Sequence, residues 1–426
     1  MGRVTKEVRS PHTYELTHVF TDIRCIYSIY LLDSQLSIAC NLRPQISALE
    51  IKYDLPCADD LWSARTAAAW ESTRTQHFRS FNEPDDHFAS DEAKPSEGSL
   101  YGSTQDLLHA HAGSRHHSHP LPPPSPTLRL LWYSPFAALV LVTQLQMTAR
   151  ELTHASCLLE RPRGATTQRN LSILTEAQYG QISQALRNIA ELIPPRRRRA
   201  VPSNNTNTNN AGATPTPTTT GSSSSSSNNS TTSFTPLWHA FWLTHHYTSI
   251  TISHPDSLLV TGVVETNLPA AIATAGHLAR PRARRANRDV YEDRDVFRIL
   301  RDLEGALGEI DGEEHEQDQG DENPFLTLLA FKICLVGWRI VRLTMGKEGE
   351  GPAGFVLGSV MEAIGKGEEG GGAEAEVGYL RWVREALMRR SVWPVGRWEA
   401  AIVDEALTGA VEYAAVVREG GAGGVV

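Results

Sequence analysis

The feature that most limits the fold is a tract from Ser203 to Ser233 that contains no Val, Ile, Leu, Met or aromatic residue. Such a Ser/Thr/Asn-rich tract cannot bury enough apolar surface to offset the entropy of ordering it. A second tract, Asn82 to Thr127, ends in a run of His and Pro residues, and a third, Gly346 to Glu376, is rich in Gly and Glu. The sequence therefore predicts folded blocks joined by long disordered insertions.

The folded blocks have the spacing of helices. In the first block, apolar residues recur at intervals of three and four, and the run is apolar on almost all sides, which predicts a buried helix. The residues that set this spacing are Ile23, Tyr27, Tyr30, Leu31 and Leu36. The same pattern predicts helices over 135–147, 175–193, 376–390 and 395–417.

The last two predicted helices have a definite inward face. In the first of them the buried face consists of Tyr379, Leu380, Val383 and Leu387. The second follows the Trp393-Pro394 pair, which separates the two helices, and its inward residues are Trp398 and Ile402.

The segment from Phe234 to Ser253 is rich in aromatic and β-branched residues, so local propensity alone would also allow a strand. Its length favours a helix. The chain has no alternating strand pattern and no repeat of 20 to 50 residues. We therefore predict an all-α, multi-helical fold.

These patterns divide the 426 residues into nine segments. Helical core is predicted over 1–81, 128–193 and 234–310, with a buried helix over 323–345 and C-terminal helices over 377–426. The intervening segments are a disordered His/Pro-rich insertion (82–127), a basic run with a Ser/Thr/Asn-rich linker (194–233), an acidic loop (311–322) and a Gly/Glu-rich loop (346–376).

The most apolar stretch, Phe325 to Met345, has the length of a transmembrane helix. Three basic residues interrupt it and lie along one side of a helical wheel: Lys332, Arg339 and Arg342. This pattern favours a core helix with one solvent-exposed edge over a membrane-spanning helix. The N-terminus has no apolar run typical of a secretory signal. We predict no membrane partner.

Charge and cysteine content exclude several classes of protein. A net charge of −9 is unfavourable for coating DNA or RNA. The five cysteines are scattered, which indicates a reducing compartment, and no Cys-x₂-Cys pair suitable for a zinc finger is present. No nucleophile elbow, zinc-protease helix or phosphate-binding loop occurs, so we predict no catalytic residue, cofactor or metal in this chain.

The stretch from Tyr27 to Trp70 resembles the closing part of the fungal-specific transcription factor regulatory domain, the middle homology region of fungal zinc-finger activators. The residues that carry the resemblance are Leu31, Leu32, Asp33, Arg43, Pro44, Leu55, Pro56, Cys57, Asp60, Leu61, Trp62 and Trp70. The C-terminal helices look like the tail of the branch with C2H2 fingers. The resemblance implies a non-enzymatic nuclear regulator acting with RNA polymerase II.

The same resemblance implies that zinc and DNA contact belong to an N-terminal module absent here, so this chain would meet DNA only indirectly. The implied partners are transcriptional co-regulators, an effector molecule or a second copy of the chain. The chain also fits the C-terminal piece of a longer protein or a truncated gene model. An alternative from another class is a helical small-molecule-binding protein or enzyme.

The motif residues have structural roles on physical grounds. A lone carboxylate, Asp33, in an apolar helix is costly to desolvate, and Arg43 could pair with it and fix the turn at Pro44. The stretch from Leu55 through Pro56 to Cys57 predicts an extended crossing. Two aromatic residues are expected to be core anchors of the next helix: Trp62 and Trp70.

Several clusters allow both a functional and a structural interpretation. A histidine-rich tract favours a low-complexity linker over Ni, Cu or Zn binding: His109, His111, His116, His117 and His119. A second histidine group favours packing residues: His239, His245, His246 and His254. Two basic runs are typical either of importin recognition or of solvated loops. They are Arg196, Arg197, Arg198 and Arg199, and the patch Arg280 to Arg288. Together with the family resemblance, recognition by an importin is favoured.

Overall fold

The computed structural model describes residues 11–40, 42–64, 66–81, 98–109, 128, 131, 134–158, 174–193, 236–253, 269–270, 272–273, 294–311, 323–344, 372–390 and 392–422. Across these ranges the chain forms eleven named helices, and no strand beyond an isolated bridge between Asp54 and Ser99. The all-α prediction is confirmed.

The helices are numbered in chain order. The N-terminal ones are α1 (Pro11–Cys40), α2 (Asp59–Trp62), α3 (Ala67–Phe81) and α4 (Leu100–His109). The central ones are α5 (Pro135–Leu158), α6 (Glu176–Leu192), α7 (Pro236–Ser253) and α8 (Arg294–Asp311). The C-terminal ones are α9 (Pro324–Thr344), α10 (Gly372–Arg389) and α11 (Pro394–Ala422).

Helix α7 lies at the centre of the fold. Fifteen of its residues are buried, and it packs against α5, α6, α8 and α9. A helix that is apolar on all sides is stable only when other helices surround it. The segment that local propensity left open between strand and helix is therefore helical, because length and burial outweigh β propensity.

Four of the remaining helices pack on the helices that surround α7. Helix α1 packs on α5 and α9, and α4 packs on α5 and α6. Helices α10 and α11 form a pair that packs on α9. Buried residues of helices α1 and α4 to α11 belong to one continuous hydrophobic core.

Several helix boundaries follow their predicted signals. Helix α6 begins with a capping box in which the Thr175 side chain accepts from the Gln178 N–H and the Gln178 side chain accepts from the Thr175 N–H. The predicted inner face of α10 is buried at all four positions, and Ile402 of α11 is buried. The helical periodicity therefore identified the core-facing side of α10 correctly, and that of α11 at Ile402.

Some predicted boundaries and faces are wrong. Helix α4 lies inside the segment 82–127 predicted to be disordered, because Leu100 and Leu107 share one helical face and are fully buried. Helix α10 begins at Gly372, within the predicted loop 346–376. Leu36 and Trp398, predicted to point inward, are 44% and 39% exposed.

Helix α9 also differs from its prediction. Lys332, expected on a wet edge, is only 4% exposed, because α1, α5 and α7 surround this part of α9. Within the described ranges, no helix combines the length and apolar character that crossing a bilayer requires.

Helices α7 and α8 approach closely at a glycine. A Cβ atom built on Gly305 of α8 would lie 2.6 Å from Cε1 of the His246 ring on α7. Any side chain at position 305 must therefore displace the imidazole or push the two helices apart. Gly308, one turn later on the same helix, has no neighbouring atom in that position within 4 Å.

We expect Gly305→Ala to lower the free energy of unfolding by about 1–3 kcal/mol, the typical cost of overpacking a close contact. Gly308→Ala is the matched control and should raise it by about 0.5–1 kcal/mol, since alanine has the higher helix propensity. Chemical denaturation of both variants measures the difference. Equal effects of the two substitutions would contradict the close approach of α7 and α8.

Candidate functional site

The motif segment is tied to the rest of the fold by Arg24 of α1. Its guanidinium Nη2 donates to the Asp59 carboxylate and lies 3.5 Å from the Cys57 carbonyl oxygen. The guanidinium carbon lies 4.7 Å from the ring centroid of Trp62 and 5.3 Å from that of Phe136. One side chain thus joins α1, the crossing before α2, α2 itself and α5 by charge-assisted and cation–π contacts.

Sequence reasoning did not identify Arg24. It selected Asp60 as the acidic motif residue, whereas Asp59 binds the guanidinium and the Asp60 carboxylate accepts from the N–H of Leu61 at 2.9 Å. The available signal was a single arginine within an apolar helix, which needs an acidic partner for the same reason as Asp33. The spacing of the motif does not indicate which of the two neighbouring aspartates pairs with the arginine.

Asp33 fixes the turn that follows α1. Its Oδ2 accepts from the backbone N–H groups of Gln45 and Ile46, at 2.8 and 2.9 Å. The hypothesis of an ion pair with Arg43 is wrong, because Arg43 is exposed and no such pair forms. The turn around Pro44 is stabilised as expected, but by main-chain donors rather than by a charged side chain.

Two tyrosines on the inner face of α1 extend these contacts. The Tyr27 hydroxyl donates to the Tyr53 carbonyl oxygen at 3.0 Å, and the Tyr30 hydroxyl donates to Oε1 of Gln144 on α5. Burial raises the pKa of both phenols well above the ordinary value, so both remain neutral donors. Helix α1 is therefore anchored by hydrogen bonds as well as by its apolar face.

The remaining predicted motif residues separate into two groups. Pro56 and Cys57 are buried, as an extended crossing through the core requires. Leu32 is 52% exposed and Trp62 is 39% exposed. Trp70 is half-buried, 5.3 Å from the guanidinium carbon of Arg74. The two tryptophans therefore make cation–π contacts with arginine side chains and do not anchor the apolar core.

The histidines of the second group have packing contacts where they are described. His245 Nε2 lies 2.9 Å from the Leu186 carbonyl oxygen, and His239 Nδ1 lies 3.4 Å from Glu309 Oε2. In the linker tract, His109 Nδ1 contacts the Gln105 carbonyl oxygen within its own helix. Five predicted histidines and both basic runs lie outside the described residues: His111, His116, His117, His119, His254, Arg196 to Arg199, and Arg280 to Arg288.

No group of three or more His, Cys, Asp or Glu residues suited to a metal ion occurs in the part of the chain that the structure describes. The polar side chains of Arg24, Tyr27, Tyr30 and Asp33 are hydrogen-bonded to other side chains or to the backbone. The arrangement of Arg24, Asp33, Tyr27 and Tyr30 therefore positions a segment against a helical core.

Comparison with known families agrees with this picture. Residues 10–100 match the model of the fungal specific transcription factor domain. No curated protein and no solved structure matches the chain. The resemblance of the motif segment is thereby confirmed, and the match supports a fungal transcription regulator. This family is a class of regulatory domains of transcription factors, not of enzymes.

The match includes α1, α2 and α3 and ends at Leu100, the first residue of α4. Arg24, Asp33, Tyr27 and Tyr30 all lie inside it. Their contacts with Phe136 and Gln144 lie outside it, on α5. The matched segment is therefore packed into a larger helical body. The likeness of the C-terminal helices to the C2H2 branch stays a prediction.

We expect Asp33→Ala to lower the free energy of unfolding by about 1–3 kcal/mol, because two backbone N–H groups lose a charged acceptor. Arg43→Ala should change it by less than about 0.5 kcal/mol, as is usual for an exposed residue without a specific contact. Urea denaturation of the two variants distinguishes hydrogen bonding of Asp33 to the turn from an ion pair between Asp33 and Arg43. Similar losses in both would support the ion pair instead.

Proposed function

We propose that this chain is the regulatory, non-DNA-contacting part of a zinc-finger transcription factor that acts with RNA polymerase II. The single observation that carries the proposal is the family match over residues 10–100. Zinc and DNA contact are assigned to a separate module, which is consistent with a net charge of −9 and with cysteines that form no finger pattern.

The packing of the matched segment supports a regulatory module larger than the match. Arg24 and Tyr30 connect α1 to α5, and Asn323 Nδ2, at the start of α9, donates to Gln35 Oε1 of α1 at 2.9 Å. A change at the C-terminal helices can thus reach the motif segment through direct contacts. We propose that co-regulators or an effector molecule bind the whole helical body rather than the matched segment alone. The body would act as a monomer or as a homodimer.

Nuclear entry is the second part of the proposal. The run Arg196 to Arg199 directly follows Pro194-Pro195 and precedes the Ser/Thr/Asn-rich tract, and Arg280 to Arg288 offers a second basic run. Importins recognise such clusters in exposed extended segments.

The regulatory role is testable with the full chain fused to a heterologous DNA-binding domain. We expect the fusion to change transcription of a reporter relative to the DNA-binding domain alone. Arg24→Gln should abolish most of that change, because it releases the crossing and α2 from α1. Arg381→Gln, at an exposed position on α10, is the matched control and should behave as wild type.

Immunoblotting of each fusion shows whether protein levels are equal. A reporter that does not respond to the wild-type fusion, in activation or repression, contradicts the regulatory role. A response that Arg24→Gln and Arg381→Gln leave equally intact contradicts the part assigned to Arg24.

The nuclear assignment is tested by fluorescence microscopy of the chain fused to a fluorescent protein. Replacing all four residues Arg196, Arg197, Arg198 and Arg199 with Gln should move most of the fusion to the cytoplasm. The comparison variant replaces Arg282, Arg284, Arg285 and Arg288 with Gln, which removes the same charge elsewhere. Nuclear accumulation unaffected by either variant would exclude both runs as import signals.

A further inference from the structure

One side of α1 is apolar and exposed, although the sequence predicts a helix buried on almost all sides. Ile29, Leu32 and Leu36 are 55%, 52% and 44% exposed. Cys25 and Cys40, at either end of this row, are exposed as well. The outer face of a surface helix normally carries charged side chains, but no charged residue is exposed between positions 23 and 40. A contiguous exposed row of this kind indicates an interaction surface.

The exposed row has the spacing of a coiled-coil seam. Its members are separated by four, three, four and four positions: Cys25, Ile29, Leu32, Leu36 and Cys40. Intervals of three and four keep side chains on one line along a helix, here about 22 Å long at a rise of 1.5 Å per residue. A line of this kind fits the same line on a second helix, because apolar side chains of each helix pack between those of the other.

The two ends of the row carry opposite charges. Asp22 lies three residues before Cys25, and Arg43 lies three residues after Cys40, in the turn that follows α1. Both are exposed, and neither side chain forms an ion pair with a described residue. Two antiparallel copies of the row bring each acidic end next to a basic end, whereas two parallel copies bring like charges together.

We propose that α1 pairs with α1 of a second copy of this chain, antiparallel, about a two-fold axis near Leu32. A two-fold interface uses the same surface of both copies, so a row with matching halves is self-complementary. The pairs across the axis are Ile29 with Leu36, Cys25 with Cys40, and Asp22 with Arg43.

Asp33 is the acidic residue nearest to the proposed axis. Its Oδ2 accepts from the backbone N–H groups of Gln45 and Ile46 in its own copy. These two donors partly compensate the negative charge, so the carboxylate is held toward the turn rather than presented to the second copy. The row that meets the second copy therefore remains apolar between its charged ends.

This dimer names a partner for the helical body of the proposed function. Self-association is a property of the purified chain, so it is measured without a reporter gene. A dimer without a transcriptional response would reject the proposed function alone. A transcriptional response from a chain that is monomeric would reject the dimer alone.

Sedimentation velocity of the purified full chain, from about 1 to 200 μM, tests self-association. We expect a dimer with a dissociation constant of about 10–100 μM, because one helix face is smaller than a standard interface. A monomer at every concentration would overturn the proposal, and the apolar row would then belong to a different occupant.

Leu32→Asp is the central variant, because it places two carboxylates at the axis. It should weaken the dimer by about 100-fold or more. The half-exposed position should tolerate the change in the monomer, which thermal unfolding verifies. Val416→Asp makes a similar change at an exposed position of α11 and should leave the affinity unchanged. A dimer of wild-type affinity in Leu32→Asp would refute the assigned surface.

Charge reversal tests the pairing of the two ends. Asp22→Arg and Arg43→Asp should each weaken the dimer by about 3-fold to 10-fold, because each places two like charges together at both ends of the interface. The double variant restores opposite charges and should recover most of the affinity. Losses that simply add in the double variant would contradict the antiparallel arrangement.

Disulfide cross-linking with copper–phenanthroline, which oxidises two thiols to a disulfide, determines the relative direction of the helices. All variants carry Cys157→Ser, and Cys57 and Cys334 are buried. The antiparallel pair should form a covalent dimer that either Cys25→Ser or Cys40→Ser removes, and mixing these two variants should restore it. Covalent dimers that persist in both single variants would show a parallel pair instead and overturn the proposed arrangement.

Discussion

The fold depends on the burial of α7 on all sides. A helix in that position must satisfy its polar side chains inside the protein, since water does not reach them. His245 bonds the Leu186 carbonyl oxygen of α6, Ser249 donates to Asp302 of α8, and His239 contacts Glu309. These contacts join blocks that are distant in sequence. Long insertions between the blocks are compatible with this arrangement, because the entropy of closing a loop rises only slowly with its length.

Helix α1 relates to this core differently, through one face only. Tyr27 and Tyr30 point inward and are hydrogen-bonded, whereas Leu32 and Leu36 are exposed. Arg24 and Asp33 add polar contacts near opposite ends of the inner face, to the crossing before α2 and to the following turn. Such a helix is held by one apolar face and a few directional contacts rather than by encirclement.

Periodicity made the class of fold and the inner face of α10 predictable, because regular spacing is a property of a single segment. Helix α4 was missed since its one apolar face lies within a segment whose average composition is polar. The partners of Asp33 could not be inferred from charges, because they are main-chain N–H groups of a turn. Trp62 was misplaced because hydrophobicity alone ignores the attraction between its ring and the Arg24 guanidinium.

Lys332 shows the same limit. A helical wheel placed the lysine on a stripe with Arg339 and Arg342, which predicted solvent, but the wheel contains no information on how closely α1 covers α9. Burial lowers the pKa of Lys332, while the buried carboxylate of Glu399 on α11 opposes that shift. Neither α1 nor Glu399 is close to Lys332 in sequence, so only the packed fold shows which groups surround this side chain.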